Sequence, residues 1–207
     1  MDLEPEVEQA LRFRAKTELR KRARALRATI PAQALSERSA KIVEHLEALV
    51  AELGSASVAL FWPIEGRNEV DLRALDGWLR ARGIRVAYPS IHPETRRMTF
   101  REVSSPGALE ERGLGFQEPP TEAAELEKLD LIVVPALQLD LRGHRIGYGA
   151  GYYDATLPRF APPARTVGVG FKFQLIAEVP DTAGDVPLDA VLTDAGVALR
   201  RGSLAPA

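Results

Sequence analysis

The sequence predicts an α/β protein, a mostly parallel sheet covered by helices on both faces. Strand-length apolar runs alternate with helix-length amphipathic segments, which is the grammar of βαβ units. Those runs are continuous and rich in Val, Ile and Leu rather than alternating, as strands buried on both faces require. With 207 residues, 45 % hydrophobic and 27 % charged, the chain suffices for one domain over residues 1–207, burying roughly 70 % of its unfolded surface.

The elements follow in order. Residues 7–28 lack Gly and Pro, and Leu11, Ala15, Leu19, Ala23 and Leu26 recur at three- and four-residue steps, so a helix is expected with that stripe inward and its other side basic. Thr29 reads as the cap of a second helix with Pro31 in its first turn, and Gly54 ends it. Residues 57–62 read as a buried strand, 71–82 as a helix stopped at Gly83, and 84–88 as a strand ended by Pro89. Strands are also expected at 98–103, 130–134, 166–169 and 190–193, with a helix at 150–159. Residues 104–127, rich in Pro, Gly and Glu, read as a surface excursion with little regular structure.

Composition excludes several kinds of chemistry. The 27 Lys plus Arg against 29 Asp plus Glu leave a net charge of −2, so no global field draws the chain to nucleic acid or an anionic membrane. With Cys 0, disulfides, thiolate zinc sites and cysteine nucleophiles are excluded. An acidic start (Asp2, Glu4, Glu6, Glu8) and short apolar runs lead us to expect a cytoplasmic protein. His45, His92 and His144 have no metal-ligand spacing, and there is no Gly-x-Ser-x-Gly nucleophile elbow.

The chemistry concentrates in residues 140–154, DLRGHRIGYGAGYYD, after the most apolar strand. Ligands of open α/β sheets bind at such strand ends. Gly147, Gly149 and Gly151, two residues apart, permit backbone conformations that aim several N–H groups at one anion. Arg145 brings a planar donor fork suited to phosphate, and Asp154 a hard oxygen ligand for magnesium. Taken singly, each residue has a structural explanation: a tight turn, Tyr152 and Tyr153 in the core, Asp154 as a helix cap. Their combination points to a nucleotide loop, although it is neither a Walker A motif nor a dinucleotide fingerprint.

Two further clusters bear on that site. Lys16, Arg20, Arg24 and Arg27, spaced four, four and three apart, form a cationic stripe on the first helix. Such stripes are usually solvated, but like charges at this spacing repel, and a polyanion bridging Lys16 and Arg20 would relieve that cost. After the first strand, residues 61–72 carry Trp62, Glu65, Glu69 and Asp71. An aromatic wall with carboxylates suits a flat heterocycle bearing amino groups. Asp71 is better explained as a helix cap.

These segments, Lys16 to Arg20, Phe61 to Glu69 and Arg145 to Asp154, resemble the 5-formyltetrahydrofolate cyclo-ligases, also called 5,10-methenyltetrahydrofolate synthetases. Residues 170–174 and 187–189 resemble the closing segment of that family. The resemblance implies a three-layer α/β/α sandwich akin to CoA-transferases and sugar-phosphate isomerases. It further implies an ATP- and Mg2+-dependent cyclisation of 5-formyltetrahydrofolate to 5,10-methenyltetrahydrofolate, releasing ADP and phosphate. By position, Lys16, Arg20, Arg145 and the loop Gly147, Tyr148, Gly149, Ala150, Gly151, Tyr152 and Tyr153 would meet ATP, with Arg145 and Lys16 as catalytic cations. Trp62, Glu69, Tyr148 and Tyr152 would contact folate, and Asp154 and Asp189 would serve magnesium. Many relatives carry basic loop residues where this chain has Tyr148 and Ala150, so phosphate charge would rest on Lys16, Arg20, Arg145, backbone amides and the metal.

Such a reaction needs no protein nucleophile. A formamide oxygen attacking the γ-phosphoryl group gives an imidate phosphate, which the neighbouring N10 amine displaces by ring closure; the protein holds the reactants in line and neutralises charge. The expected partners are small molecules, with no nucleic acid or membrane and with the chain acting as a monomer. A competing reading, an RNA-binding or regulatory module using the Arg-rich first helix, is disfavoured by the near-neutral charge and the intact glycine loop. An ATP-dependent enzyme acting on another amide is a second competitor.

Overall fold

In a computed structural model, residues 4–95, 97–113 and 115–201 are described. Two long helices come first, α1 (Pro5–Ala28) and α2 (Ala32–Leu53), followed by β1 (Ser57–Ala59), α3 (Arg73–Ala81), β2 (Arg85–His92) and β3 (Arg97–Glu102). A small hairpin, β4 (Glu110–Glu111) with β5 (Gln117–Glu118), precedes β6 (Leu131–Pro135), and a second pairs β7 (Gln138–Leu139) with β8 (Arg145–Ile146). Then come α4 (Tyr152–Phe160), β9 (Arg165–Val169), β10 (Ala190–Thr193) and β11 (Gly196–Arg200).

The seven-stranded sheet has the order β11-β10-β9-β6-β1-β2-β3. Its five inner strands are parallel, and antiparallel β3 and β11 close the two edges. Alternate residues feed two cores. Val58, Leu60, Leu131 and Val133 pack with Ile42, Leu46, Leu75 and Leu79 of α2 and α3. Ala59, Ile132 and Val134 pack with Leu157 and Phe160 of α4 on the opposite face. The expected three-layer α/β/α arrangement is therefore present. The chain leaves β1 toward β2 but later returns to β1's other side through β6. The sheet thus has its switch point between β1 and β6, where a crevice opens beyond the strand ends.

Several boundaries differ from expectation for local reasons. Thr29 ends α1 rather than capping α2, its hydroxyl donating to Leu26 O at 2.8 Å, while extended Pro31 is the N-cap of α2. Pro89 does not end β2. Ala87 faces β1, accepting from Leu60 N, and residues two apart share a side, so Pro89's missing N–H falls where β1 has already ended. That early end makes residues 60–62 a strand-end loop instead of strand. The 104–127 excursion carries a 3-10 turn and the β4–β5 hairpin, and the edge strand β11 follows β10 through a turn the sequence reading did not include.

Helix α1 is rotated relative to its apolar pattern. Leu11 and Leu26 are 47 % and 51 % exposed, whereas Lys16, Ala23 and Arg27 are buried. Leu19 and Ala23 pack beside Leu137 and Ile146 of the β7–β8 region. Periodicity locates an apolar face but cannot see that buried cations have partners waiting elsewhere in the chain. No helix among the described residues is long and apolar enough to cross a membrane.

Candidate active site

A cleft of about 630 Å³ lies at the switch point, walled by Phe61 and Trp62 after β1, Pro135 at the end of β6, the buried side of α1, and the glycine loop leading into α4. This volume is in the range of small-molecule sites.

The glycine loop is shaped as its composition predicts. Gly149 has φ 107 and Gly151 φ 75, both in the region that side chains avoid. A Cβ on Gly149 would also come within 3.3 Å of Arg20 Nε. Gly151 is the N-cap of α4, and no side chain caps that end. The first amides of the helix are therefore left for a ligand, at the positive end of the helix dipole.

Cations converge on this loop from α1. Arg20 Nε donates to Gly147 O at 3.1 Å, and Arg24 Nη2 to Tyr148 O at 3.2 Å. The guanidinium carbons of Arg24 and Arg27 lie 5.3 and 5.6 Å from the centre of the Tyr148 ring. Burial foremost, then the Arg24 charge, lowers the pKa of Arg20. The loop has no basic residue at Tyr148 or Ala150, but the helix brings its charge to the same place.

Lys16 is buried and pairs with the Asp185 carboxylate, with Thr182 Oγ1 at 3.4 Å. Burial would push Asp185 up, but hydrogen bonds from Lys16 and from the Thr182 amide and hydroxyl hold its carboxyl below the usual range. Lys16 and Arg20 share the cleft wall, yet in this state each is engaged with protein.

Arg145 is buried and donates through Nη1 to Val186 O at 2.8 Å and through Nη2 to Asp154 Oδ1 at 2.7 Å. Asp154 Oδ1 also accepts from Val186 N at 3.0 Å, leaving Oδ2 outside these bonds. Both side chains reach the cleft. Tyr153, which lines it too, has a buried hydroxyl without a hydrogen-bond partner among the described residues, and its pKa is raised, by burial first.

Glu69 is buried and engaged at both oxygens. Oε2 accepts from Ile64 N at 2.7 Å, Oε1 accepts from the Tyr148 hydroxyl at 2.6 Å, and Arg27 Nη2 lies 3.8 Å away. Burial and the Glu69 charge push Tyr148 up to about 12. Trp62 is half-buried and stands edge-on to Tyr88, ring centres 5.9 Å apart. Asp71 is outside the cleft lining. Its carboxylate takes the Arg73 amide at 3.0 Å, a capping role one position before the N-cap Leu72.

Asp189 is the one expected site residue placed elsewhere. It precedes β10 and its Oδ2 accepts from the Thr166 amide and hydroxyl at 2.8 and 3.0 Å. Those groups tie together the N-terminal ends of the parallel inner strands β9 and β10, the strand ends away from the cleft. The family resemblance assigns it to magnesium with Asp154, but it lies outside the cleft lining, three residues beyond Val186, whose amide donates to Asp154. The sequence reading missed the contributions of Phe13, of Phe116 and Gln117 at the β4–β5 hairpin, and of Thr182 and Asp185. Loop residues of ordinary type carry no spacing signal, and Phe13 alone had a cue, being three residues before Lys16.

A model of the 5-formyltetrahydrofolate cyclo-ligase family matches residues 12–194. The chain belongs to that family. Among its relatives, the 5-formyltetrahydrofolate cyclo-ligase of Haemophilus influenzae is 26 % identical over 87 % of this chain and 96 % of its own, and that of Escherichia coli K12 is 31 % identical over 68 % and 79 %. The NMR structure of Aquifex aeolicus 5,10-methenyltetrahydrofolate synthetase superposes with a TM-score of 0.78 at 31 % identity, covering 93 % of this chain and 95 % of that one. A Mycoplasma pneumoniae 5,10-methenyltetrahydrofolate synthetase, 24 % identical with a TM-score of 0.71, shares the fold over 86 % of this chain. The protein is thus an enzyme, a ligase of the cyclo-ligase family.

Proposed function

We propose that the protein uses ATP and magnesium to cyclise 5-formyltetrahydrofolate to 5,10-methenyltetrahydrofolate. The observation that carries this is the convergence on one cleft of an uncapped helix N-terminus behind a glycine loop, the cations Lys16, Arg20, Arg24 and Arg145, and the Trp62–Glu69 wall. ATP would supply the phosphoryl group that makes the formyl oxygen a leaving group, and magnesium would offset phosphate charge.

The residues present suit both. The amides opening α4 and the guanidinium of Arg145 are donors matched to phosphate oxygens. No cluster of three or more metal-binding side chains exists among the described residues. Magnesium, which keeps waters and takes one or two carboxylates with substrate phosphates, does not need one. Asp154, which lines the cleft and keeps Oδ2 outside its bonds, is the carboxylate we assign to it, while Asp189 lies outside the cleft lining.

The roles follow from position. Arg145, held by Val186 and Asp154, presents a fixed positive charge where phosphoryl charge develops. Lys16 exchanges Asp185 for phosphate oxygens. Trp62 offers an apolar face to the pterin, and Glu69, fixed by Ile64 and Tyr148, sets the polar edge of the wall. The test is absorbance of methenyltetrahydrofolate formed from 5-formyltetrahydrofolate with and without MgATP. Formation only with MgATP is expected, and none with it would overturn the proposal.

A further inference from the structure

The stripe that delivers the cations of α1 does not end at Lys16. Phe13, Lys16, Arg20, Arg24 and Arg27 follow one another at steps of three, four, four and three, so one helical face carries all five. Phe13 lines the same cleft and is 53 % exposed, one of the few large apolar side chains left open to solvent among the described residues. At 1.5 Å per residue, the stripe runs roughly 21 Å from Phe13 to Arg27.

The stripe has different surroundings at its two ends. Arg27 is beside Glu69 and Tyr148, in the Trp62–Glu69 wall. In the middle, Arg20 and Arg24 touch the glycine loop. Past Lys16, toward the start of α1, the exposed ring of Phe13 is the last lining residue of the stripe. The cleft therefore has two aromatic ends with a phosphate-type cradle between them.

We propose that Phe13 is the stacking platform for the base of the nucleotide, and that it fixes the direction in which the nucleotide lies. The base sits at the start of α1, the phosphates run along Lys16, Arg20 and the glycine loop, and the γ-phosphoryl end points toward the Trp62–Glu69 wall. A substrate held at that wall then meets the terminal phosphoryl group, whereas the reverse orientation would place the base there. This proposal rests on the ATP reading above and assigns which end of the cleft takes which ring.

The experiment is titration calorimetry of the wild type, Phe13→Ala and Phe13→Trp with three probes: MgATP, magnesium tripolyphosphate, which has no base, and 5-formyltetrahydrofolate. Phe13 is exposed, so folding is not at stake, and circular dichroism melts check this. Base–aromatic stacking is worth enough that Phe13→Ala should weaken MgATP about tenfold or more. Tripolyphosphate and folate binding should stay unchanged, and Phe13→Trp should restore MgATP affinity. Equal weakening of MgATP and tripolyphosphate, no weakening of either, or weakening of folate alone would each overturn the assignment. Wild-type protein that binds neither phosphate probe would instead overturn the nucleotide reading itself.

Discussion

Tyr148 and Glu69, 79 residues apart in the chain, meet at 2.6 Å, the phenol donating to Glu69 Oε1. Arg27 Nη2 approaches both groups, so the glycine loop, the loop after β1 and helix α1 are locked together at one buried point. This makes the shape of the phosphate cradle depend on the wall that faces it. Two consequences can be measured.

Replacing Tyr148 with Phe removes the hydroxyl and keeps the ring between Arg24 and Arg27. A hydrogen bond to a charged group contributes about 1.5–3 kcal/mol, and we expect a loss in that range. Because the folded-state pKa is raised to about 12 from 10.0, the stabilising contribution of Tyr148 is complete below pH 10 and is lost as pH rises toward 12. Urea melts of both proteins should therefore converge over that window. Tyr88 and Tyr153 are shifted upward too, but they are common to both proteins. A constant difference up to pH 12 would show that the hydroxyl is not held as described.

Glu69→Ala should cost on the order of 3–5 kcal/mol, since it leaves the Arg27 guanidinium buried without its carboxylate. Adding Arg27→Met should recover much of that loss, because a buried pair replaced by apolar groups is often neutral. A double variant no more stable than Glu69→Ala alone would mean that Arg27 is not stabilised through Glu69. Lost activity in Glu69 variants is informative about folate only after this stability term is measured.

Legibility from sequence followed the range of the determining interactions. The βαβ succession and the parallel core strands were readable because Val58 to Leu60 and Leu131 to Val134 carry their burial in their own composition. The glycine loop was readable because only glycine tolerates φ 107 at position 149. What escaped was set by distant partners. Lys16 and Arg27 point inward because Asp185 and Glu69 receive them, and no local pattern says so. Pro89 continues a strand because its neighbour β1 stops short. Asp189 matched a family position, yet its carboxylate is received by Thr166 at the start of β9, a partner no local pattern reveals.

Asp185 competes with a phosphate ligand for Lys16. Asp185→Asn should release the ammonium, tightening the binding of magnesium tripolyphosphate by a few-fold while lowering stability near neutral pH. The folded-state pKa of Asp185 is depressed, so its stabilising contribution is present above the usual value of 3.8 and is lost as pH falls through its lower folded value. The melting temperatures of wild type and variant should accordingly draw together in acid. Weaker tripolyphosphate binding by the variant would show that Asp185 assists the ligand instead of competing with it.

Asp154 and Asp189 separate the metal assignment from a structural one. Asp154 stands in the cleft with Oδ2 free of the bonds that hold Oδ1, so Asp154→Asn keeps the contacts to Arg145 and Val186 in outline but removes the negative charge a hard cation requires. The magnesium concentration needed for half-maximal turnover should rise at least tenfold or so, with a fall in melting temperature smaller than that of Glu69→Ala, since the amide oxygen still accepts from buried Arg145. Asp189→Ala acts at the N-terminal ends of β9 and β10, outside the cleft lining, where it strands the buried Thr166 amide at a cost of about 1–3 kcal/mol. Its magnesium curve should match the wild type once the assay is run below its melting temperature. The two variants are compared by turnover against magnesium concentration and by thermal melts on the same preparations. If Asp189→Ala shifts the magnesium curve and Asp154→Asn does not, the metal belongs with Asp189, whose Oδ1 is outside its bonds to Thr166.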